Sequence, residues 1–383
     1  MDFNLTKQQK LSRKIAREFA EVELEPFAQE RDEKAEFPAD AIEKLGKLGF
    51  MGIGIPKAYG GCALDSISYV LIIEELARAC ASTAIIVAVH NSVGAYPIYL
   101  LGTDEQKKKY LIDLASGKKL GAFALTEPNA GSDPGSIETT AERDGDNYIL
   151  NGTKTFITSA KTSDTVIVMA STDRNKRGRG ITSFIVETAF KGITAGVKEN
   201  KLGIRASDTC ELIFENCVVP VANVLGKPGT GLSAALKALS FGRVGVAAQA
   251  LGVAGSAMES CVIYSKDRHQ FGKPIAGFQA IQWMIADMAT EIEAARNLIF
   301  KAAFLKDEGK PFSTEGAMAK LYASEVAMRT ATKAVQIHGG YGYCCDYPVE
   351  RYMREAKLFE IVEGTSEIQR LVIANQLLKD ARK

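Results

Sequence analysis

The stretch LTEPNAGSD at residues 125–133 stands where the hydrophobic pattern of the chain changes, and its first residue, Leu125, ends a β-prone run at residues 120–125. Upstream of it, apolar residues recur at helical spacing; downstream, short β-prone runs alternate with turn residues up to about residue 228. The Asp144-Gly145 pair between two such runs predicts a hairpin. Long helical patterns then return and continue to the end of the chain. These changes of period predict a β domain inserted between two helical regions.

The three regions define the expected domain organisation. We expect an N-terminal helical domain over residues 1–118, a middle β domain over 119–228 and a C-terminal helical domain over 229–383. In the last domain the pattern predicts helices over residues 232–267, 278–308, 314–337 and 366–378. The first of these is rich in glycine and alanine, which lets neighbouring backbones approach closely and favours a bundle. The predicted fold class is therefore mainly α with a β insert.

The composition excludes several function classes. The 383 residues carry 47 Lys and Arg against 46 Asp and Glu, so the formal net charge of +1 argues against a nucleic-acid partner. Seven cysteines without a CxxC pair and only three histidines fit neither a disulfide framework nor a metal site. Residues 1–6 lack the basic and apolar regions of a secretory signal, and no uncharged apolar run of about 18 residues is apparent. We therefore expect a cytoplasmic protein without a metal or a membrane span.

Two glycine-containing motifs each allow a structural and a functional interpretation. The stretch at residues 125–133 is either a surface loop or a ligand loop in which Thr126 and Ser132 face a polar cofactor. The glycines of HGGYG at residues 338–342 either cap a helix or let backbone N–H groups approach a pyrophosphate. The GxGxxG spacing behind a strand, which is typical of dinucleotide-binding proteins, is absent.

Three charged or reactive positions are similarly open. Arg268, in RHQFG at residues 268–272, either complements the end of a helix that Gly272 stops or pairs with a phosphate. Glu363 follows the apolar run LFEIV and is either a capping-region carboxylate or a base whose pKa is raised by apolar neighbours. The Cys344-Cys345 pair is expected to be structural, because a reactive thiol needs electropositive neighbours.

In their order along the chain, these motifs resemble those of the acyl-CoA dehydrogenase family, and most of all its short-chain members. The resemblance covers essentially the whole chain and rests on LTEPNAGSD (125–133), FIT (156–158), RHQFG (268–272), QIHGGYG (336–342) and EGTSE (363–367). It implies a β-barrel-like middle domain and a C-terminal four-helix bundle. It also implies bound FAD, a homotetramer built as a dimer of dimers, an acyl-CoA substrate and an electron-transferring flavoprotein as redox partner.

The resemblance also assigns roles to individual residues. Around the flavin ring it places Phe123, Leu125, Thr126, Phe156 and Thr158. On the ADP half of an FAD bound mainly to a neighbouring subunit it places Arg268, Gln270, Phe271, Gln279, Gln336, Gly339 and Gly340. It places Thr365 and Glu367 against the FAD of their own subunit. With the substrate it associates Ser132, Ser240, Arg243, Val362 and Gly364.

The same resemblance makes Glu363 the base that removes the α proton of the thioester while the β hydride leaves for the flavin. The backbone N–H of Glu363 would then help to hold the thioester oxygen. One branch of the family carries its base just before the arginine that matches Arg243, and here that position is Gly242. An enoyl-CoA reductase working in the reverse direction and a flavin-containing scaffold without activity both remain alternatives at this point.

Departures from the family pattern bear on the substrate. Val362 stands where many members have tyrosine, and Ser240 where many have aspartate. The loss of a phenol ring beside the acyl chain predicts a wider pocket that accepts a branched or cyclic acyl group. The run at residues 85–96 resembles the segment that closes the acyl cavity, and it contains the polar residues His90 and Asn91. These two side chains either line the cavity or satisfy each other.

Overall fold

The structure, a computed structural model, describes residues 4–380. Residues 1–3 and 381–383 lie outside the described residues. The prediction about a secretory signal used residues 1–6, so it falls partly on this undescribed segment. The N-terminal region contains the helices α1 (Lys7–Phe19), α2 (Ala28–Lys34), α3 (Ala39–Lys47), α4 (Ser66–Ala79), α5 (Ala81–Val89), α6 (Tyr96–Leu101), α7 (Asp104–Gln106) and α8 (Ile112–Ala115). A capping box starts α1, because Gln9 N donates to Thr6 Oγ1 while the Gln9 side chain accepts from Thr6 N.

Wider π turns join several of these helices. The segment His90–Ala95 links α5 to α6, and Lys107–Leu111 links α7 to α8. The continuous run Ala81–Leu101 contains no Asp, Glu, Lys or Arg, so the prediction that no long uncharged apolar run exists was wrong. This run and Gly231–Asp267 are long and apolar enough to cross a membrane, but 72% of each apolar window is buried inside the protein. Such burial is that of core helices.

The middle region forms an eight-stranded sheet. Its strands are β1 (Gly121–Ala124), β2 (Thr140–Asp144), β3 (Asn147–Thr158), β4 (Thr165–Ser171), β5 (Ile181–Glu187), β6 (Ile193–Ala195), β7 (Thr209–Pro220) and β8 (Val224–Leu225). Their order is β6-β7-β3-β2-β4-β5-β8, with β1 paired in parallel to β4. The predicted hairpin is confirmed, because Asp144 pairs with Asn147 and Gly145 takes a φ of +57°.

The C-terminal region contains the helices α9 (Gly231–Asp267), α10 (Gln279–Asp307), α11 (Ser313–His338), α12 (Val349–Phe359) and α13 (Ser366–Asp380), and the short strands β9 (His269–Gln270) and β10 (Lys273–Pro274). The four predicted helices are confirmed, and α12 is an additional one. It follows Pro348, and its buried apolar residues Val349, Tyr352, Ala356 and Phe359 recur every three or four positions. The mainly α architecture with a β insert is confirmed, whereas the domain boundaries remain predictions.

The small residues of α9 explain its central position. This helix packs against α4, α10, α11 and α12. A Cβ atom at Gly252 would lie 2.3 Å from the backbone oxygen of Glu74 on α4, and one at Gly245 would lie 2.4 Å from the hydroxyl of Tyr69. Helices α4 and α9 therefore approach as closely as they do only because these positions carry no side chain. This contact joins the N-terminal and C-terminal helices in one apolar core.

Candidate active site

Glu363 lies in a tight turn between α12 and α13. Its φ is +54° and that of Gly364 is +97°, so two successive residues adopt left-handed backbone conformations. The carboxylate of Glu363 lies against α9 at Gly242, where an added Cβ would be 1.9 Å from Oε2. Although the residue as a whole is half-buried, Oε2 is covered and has no hydrogen-bond partner among residues 4–380. The interpretation of Glu363 as a capping carboxylate is therefore wrong.

The surroundings of Glu363 keep the pKa of its carboxyl group near neutral pH. Burial raises the pKa of Glu363 to about 7, and the positive charges of Arg243 and Lys320 limit that rise. Arg243, on α9, is itself buried, and its Nε has no partner in the described part of the chain. Burial also lowers the pKa of Arg243. A carboxylate with a pKa near 7 can both take and return a proton at physiological pH.

Tyr69 lies near this carboxylate. Its ring packs against Phe241 with 4.7 Å between centroids, and its hydroxyl is buried without a partner among the described residues. Burial raises the pKa of Tyr69, and the charge of Glu363 adds to this effect. The hydroxyl approaches α9 at Gly245, one turn beyond Gly242. Nothing in the sequence separated Tyr69 from the ordinary core residues of α4, so its position near the carboxylate was not predicted.

The residues predicted to surround the flavin ring lie at one end of the sheet. Thr155 N donates to Thr126 O at 2.9 Å, which joins the 125–133 loop to β3. The pairing of β3 with β7 shifts between Lys154 and Ile157, and Phe156 in this bulge has a φ of +57°. Its ring is 64% exposed, which is unusual for phenylalanine and suits a planar apolar ligand.

The 125–133 loop is fixed from inside by a buried ion pair. Lys154 Nζ lies 2.6 Å from Glu127 Oε1 and also donates to Leu125 O. Glu127 Oε1 accepts from Thr139 N at 3.0 Å. The loop is therefore a rigid element rather than a loose surface turn. Phe123 and Thr158 are half-buried beside it, Leu125 is buried, and the hydroxyls of Thr126 and Thr158 are not bound by any other described residue. This set of free hydroxyls and an exposed ring fits a flavin.

The residues predicted for the ADP half of FAD are only partly brought together. Arg268, Gln270, Gly339 and Gly340 line a cavity of about 470 Å³. A Cβ added at either glycine would meet nothing within 4 Å, so the backbone there is open to a ligand. Gly339 also caps α11 with a φ of +62°, so the two interpretations of these glycines coexist. Gln279 and Gln336 are exposed and lie outside this cavity.

The RHQFG motif forms a hairpin, which corrects the prediction that Gly272 stops a helix. Helix α9 ends at Asp267, and β9 and β10 pair around Phe271 and Gly272, whose φ angles are +51° and +77°. Two positive φ values in a two-residue loop are typical of a type I′ turn. The ring of Phe271 is 91% exposed at its tip. The guanidinium of Arg268 lies 5.6 Å from the centre of the Tyr341 ring.

A larger cavity lies between α9 and the segment that connects β4 to β5. It measures about 1070 Å³ and is lined by Lys176, Gly178, Arg179, Gly229, Leu232, Ser233, Leu236, Lys237, Ser240 and Ser313. An adjoining cavity of about 680 Å³ shares Gly229, Ser233 and Lys237 with it and adds Lys227. Among these described lining residues, four are basic and none is acidic. The lysines and the arginine were not predicted, because they are scattered in a loop and along one helix face.

The residues predicted to contact substrate are distributed around this cavity and the turn. Ser240 lines the cavity and donates to Leu236 O at 2.9 Å. Arg243 lies one turn further along α9, beside Glu363, and Val362 directly precedes the carboxylate. Ser132 is exposed and does not line the cavity.

Thr365 and Glu367 lie at the start of α13. Thr365 Oγ1 accepts from Ile368 N at 3.3 Å and so caps that helix. Glu367 is exposed in its first turn. Both residues therefore keep polar atoms at the helix N-terminus, next to the Glu363 turn.

The side chains of His90 and Asn91 form hydrogen bonds to backbone groups. The predictions that they line the acyl cavity or bond to each other are both wrong. His90 Nε2 contacts Met51 O at 2.9 Å and Leu114 O at 3.1 Å, while Gly121 N donates to Nδ1. Burial lowers the pKa of His90 to about 4, so the ring is neutral at pH 7. Asn91 donates to two backbone carbonyls and accepts from Ile53 N. Neither side chain bonds the other, and both hold the π turn in place.

The remaining reactive groups form no further centre in the described chain. Cys344 and Cys345 are free and exposed, and Cys344 lies at the edge of the 470 Å³ cavity. His338 is buried at the end of α11 and stacks on Tyr264 with 4.2 Å between ring centroids. Within residues 4–380 no group of three His, Cys, Asp or Glu side chains could hold a metal ion.

Three family models match the chain in sequence. They are described as Acyl-CoA dehydrogenase, N-terminal domain (residues 6–118), middle domain (122–217) and C-terminal domain (229–378). The chain is 51% identical over 379 residues to a protein of Clostridium acetobutylicum named acyl-CoA dehydrogenase, short-chain specific. That alignment covers 99% of this chain and 100% of the relative.

Two further similarities are to a reductase and to a chain from a study of an electron transferring flavoprotein. The chain is 49% identical to the acryloyl-CoA reductase (NADH) of Anaerotignum propionicum, over 99% of this chain and 96% of the relative. A chain from a structural study of the electron transferring flavoprotein of Acidaminococcus fermentans is 52% identical. It superposes with a TM-score of 0.98 over 99% of this chain and 100% of its own length. Similar solved structures also include complexes with FAD.

Proposed function

This chain belongs to the acyl-CoA dehydrogenase family of FAD-dependent oxidoreductases, and from that premise we propose that it introduces an α,β double bond into a short-chain acyl-CoA. The observation that carries the proposal is the buried, unpartnered carboxylate of Glu363. Its pKa of about 7 lets it act as a base near neutral pH.

The proposed step separates the two hydrogens of the substrate. Oε2 of Glu363 accepts the α proton, the α C–H electron pair becomes the new double bond, and the β carbon loses a hydride. FAD, when bound, supplies the acceptor for that hydride and its two electrons. Arg243 and Lys320 favour the ionised carboxylate before the step, and the covered environment keeps water away from it.

The thioester oxygen needs hydrogen-bond donors while the α carbon loses its proton. The backbone N–H of Glu363 makes no hydrogen bond to another residue within the described chain. It lies in the same turn as the carboxylate, so one residue offers both a base and a donor. We propose that this N–H binds the thioester oxygen.

The charge of the large cavity supports a coenzyme A ester as substrate. Lys176, Arg179 and Lys237 line it, with no acidic side chain among its described lining residues. Phosphate groups pair well with such basic side chains. Ser240 in the cavity wall lies less than one turn of α9 from Arg243, so the cavity leads towards the carboxylate. We propose that the phosphates of coenzyme A lie among these basic residues.

The acyl group is proposed to be short, and Val362 leaves room for branching or for a ring. Tyr69 and Phe241 wall the space near Glu363, which limits chain length. Valine in place of a tyrosine removes a phenol ring next to the carboxylate. Comparing rates on butyryl-CoA with those on branched and alicyclic acyl-CoAs tests this point. A strong preference for butyryl-CoA would contradict the wide pocket.

The redox partner is proposed to be an electron-transferring flavoprotein. The similar chain from the Acidaminococcus fermentans study supports this partner. A second candidate, reduction of an enoyl-CoA in the reverse direction, is favoured by the likeness to the Anaerotignum propionicum reductase. The buried carboxylate of Glu363 argues against the alternative of a flavin-containing scaffold without activity.

We further propose that the chain forms a homotetramer. Two large apolar side chains of the C-terminal region, Phe271 in the β9–β10 hairpin and Trp283 on α10, are strongly exposed and would be covered by a neighbouring subunit.

Anaerobic titration of the purified flavoprotein with a panel of acyl-CoAs and enoyl-CoAs tests the function. We expect the flavin absorbance to bleach with a saturated short-chain acyl-CoA. Recovery of that absorbance when enoyl-CoA is added to the reduced protein would measure the reverse reaction. A protein that binds FAD and acyl-CoA but bleaches with no member of the panel would contradict the proposal.

A further inference from the structure

Two buried polar side chains hold the turn that carries Glu363. Lys320 on α11 is 0% exposed, and its Nζ donates to Gly364 O at 2.8 Å. Gln369 on α13 is also 0% exposed, and its Nε2 donates to Gly364 O at 2.7 Å and to Glu363 O at 3.3 Å. The Gly364 carbonyl is therefore held by side chains from two different helices, and the Glu363 carbonyl accepts from Gln369.

Placing a lysine at position 320 costs free energy, because its ammonium group is buried. Burial of an ammonium group without a paired carboxylate disfavours its charged form, and burial lowers the pKa of Lys320 to about 8. No carboxylate forms an ion pair with Lys320 among the described residues. Gln369 already donates to the same carbonyl, so a neutral side chain would satisfy Gly364. The charge of Lys320 therefore needs a reason other than the hydrogen bond.

That reason lies in the charges around Glu363. From α9 it faces Arg243, from α11 Lys320 and from α4 the phenol of Tyr69. Glu360 and Glu367 add negative charge near Lys320. Among these described groups, the cations Arg243 and Lys320 favour the ionised form of the Glu363 carboxylate.

We propose that Lys320 and Gln369 are positioning residues for Glu363, and that Lys320 in addition keeps a positive charge beside the carboxylate so that it stays ionised. Gln369 also holds the turn that carries Glu363, but it has no charge that could affect the carboxylate. This inference rests on the proposed role of Glu363 as the base. It separates two effects, the geometry of the turn and the protonation of the base, and assigns them to two neighbouring side chains.

The test compares variants of both residues across pH. The rate of flavin reduction by butyryl-CoA is measured anaerobically for the wild type, Lys320→Met, Lys320→Arg and Gln369→Met. Lys333→Met is the matched control, because Lys333 lies on the same helix but points to Asp287 on the protein surface.

We expect Lys320→Met to move the acidic limb of the profile upward by about one pH unit or more, because one of two nearby cations is lost. Gln369→Met should lower the limiting rate about tenfold without moving the limb, since it loosens only the turn. Lys320→Arg should keep the limb in place at a reduced rate, and Lys333→Met should change neither quantity.

An unmoved limb in Lys320→Met, or equal shifts in Lys320→Met and Gln369→Met, would overturn the inference. Infrared titration of the protonated carboxyl band, assigned by its loss in Glu363→Gln, gives a second readout without substrate. If the wild type is bleached by no acyl-CoA, the proposed function fails, yet this titration still tests Lys320. If Lys320→Met does not fold, a shifted carboxyl titration in Lys320→Arg would equally contradict the inference.

Discussion

Gly242→Ala is the most specific perturbation of the site, because one methyl group would enter the space of the base. The added Cβ would lie 1.9 Å from Glu363 Oε2, 2.7 Å from Cδ and 2.9 Å from Oε1, whereas ordinary contacts begin near 3.4 Å. The carboxylate must therefore retreat by about 1.5 Å. A misplacement of about 1 Å can cost about 100-fold in rate, or about 2.7 kcal/mol, so we expect at least this loss in flavin reduction.

The assay is stopped-flow reduction of the bound flavin by butyryl-CoA without oxygen, with FAD content checked by absorbance. Alanine has a higher helix propensity than glycine by about 1 kcal/mol, so the backbone of α9 is not weakened. Gly255→Ala is the matched control on the same helix, since its Cβ would meet only the flexible end of Arg78 at 3.0 Å. Wild-type reduction in Gly242→Ala, or an equal loss in Gly255→Ala, would refute the reasoning.

Two further variants test the cofactor site and its support. Arg268→Ala is expected to lower FAD retention, measured as flavin per subunit after gel filtration, because a cation lining the 470 Å³ cavity is lost; full flavin content would contradict this. Lys154→Met leaves Glu127 buried without its ion-pair partner, so stability in urea should fall by about 3 kcal/mol or more. The double variant Glu127→Gln/Lys154→Met should recover part of that loss, and an unaffected single variant would show that the pair does not stabilise the loop.

The periodicity of the sequence predicted most of the fold, because long helices and alternating strands leave a regular apolar pattern. It missed α12, which is short and highly charged, although its apolar spacing is visible in retrospect. It also placed a helix stop at Gly272, where two positive φ angles form a hairpin instead. A glycine next to an aromatic residue fits both structures, and only tertiary packing decides between them.

From the sequence, only the site residues that belong to a recognisable motif could be predicted. The EGTSE motif indicated Glu363, but neither its left-handed backbone nor its contact with Gly242 is encoded in local spacing. Lys320 had a weak signal, since it interrupts a stripe of small buried residues on α11 that includes Ala317, Ala323 and Ala327. Tyr69 had none, because a buried tyrosine in an apolar helix face is also an ordinary core residue. Such positions become functional through contacts between helices distant in sequence.

The most direct test of Glu363 as the base is single-turnover flavin reduction by butyryl-CoA in the wild type and in Glu363→Gln, followed from about pH 5.5 to about pH 9. Because burial raises the pKa of Glu363 to about 7, the wild-type rate should increase with pH through that value as the carboxylate ionises. Glu363→Gln should keep its FAD and bind the ligand but lose about 10⁴-fold or more in rate at every pH. Reduction within about tenfold of the wild type, with the same pH dependence, would show that another group removes the proton.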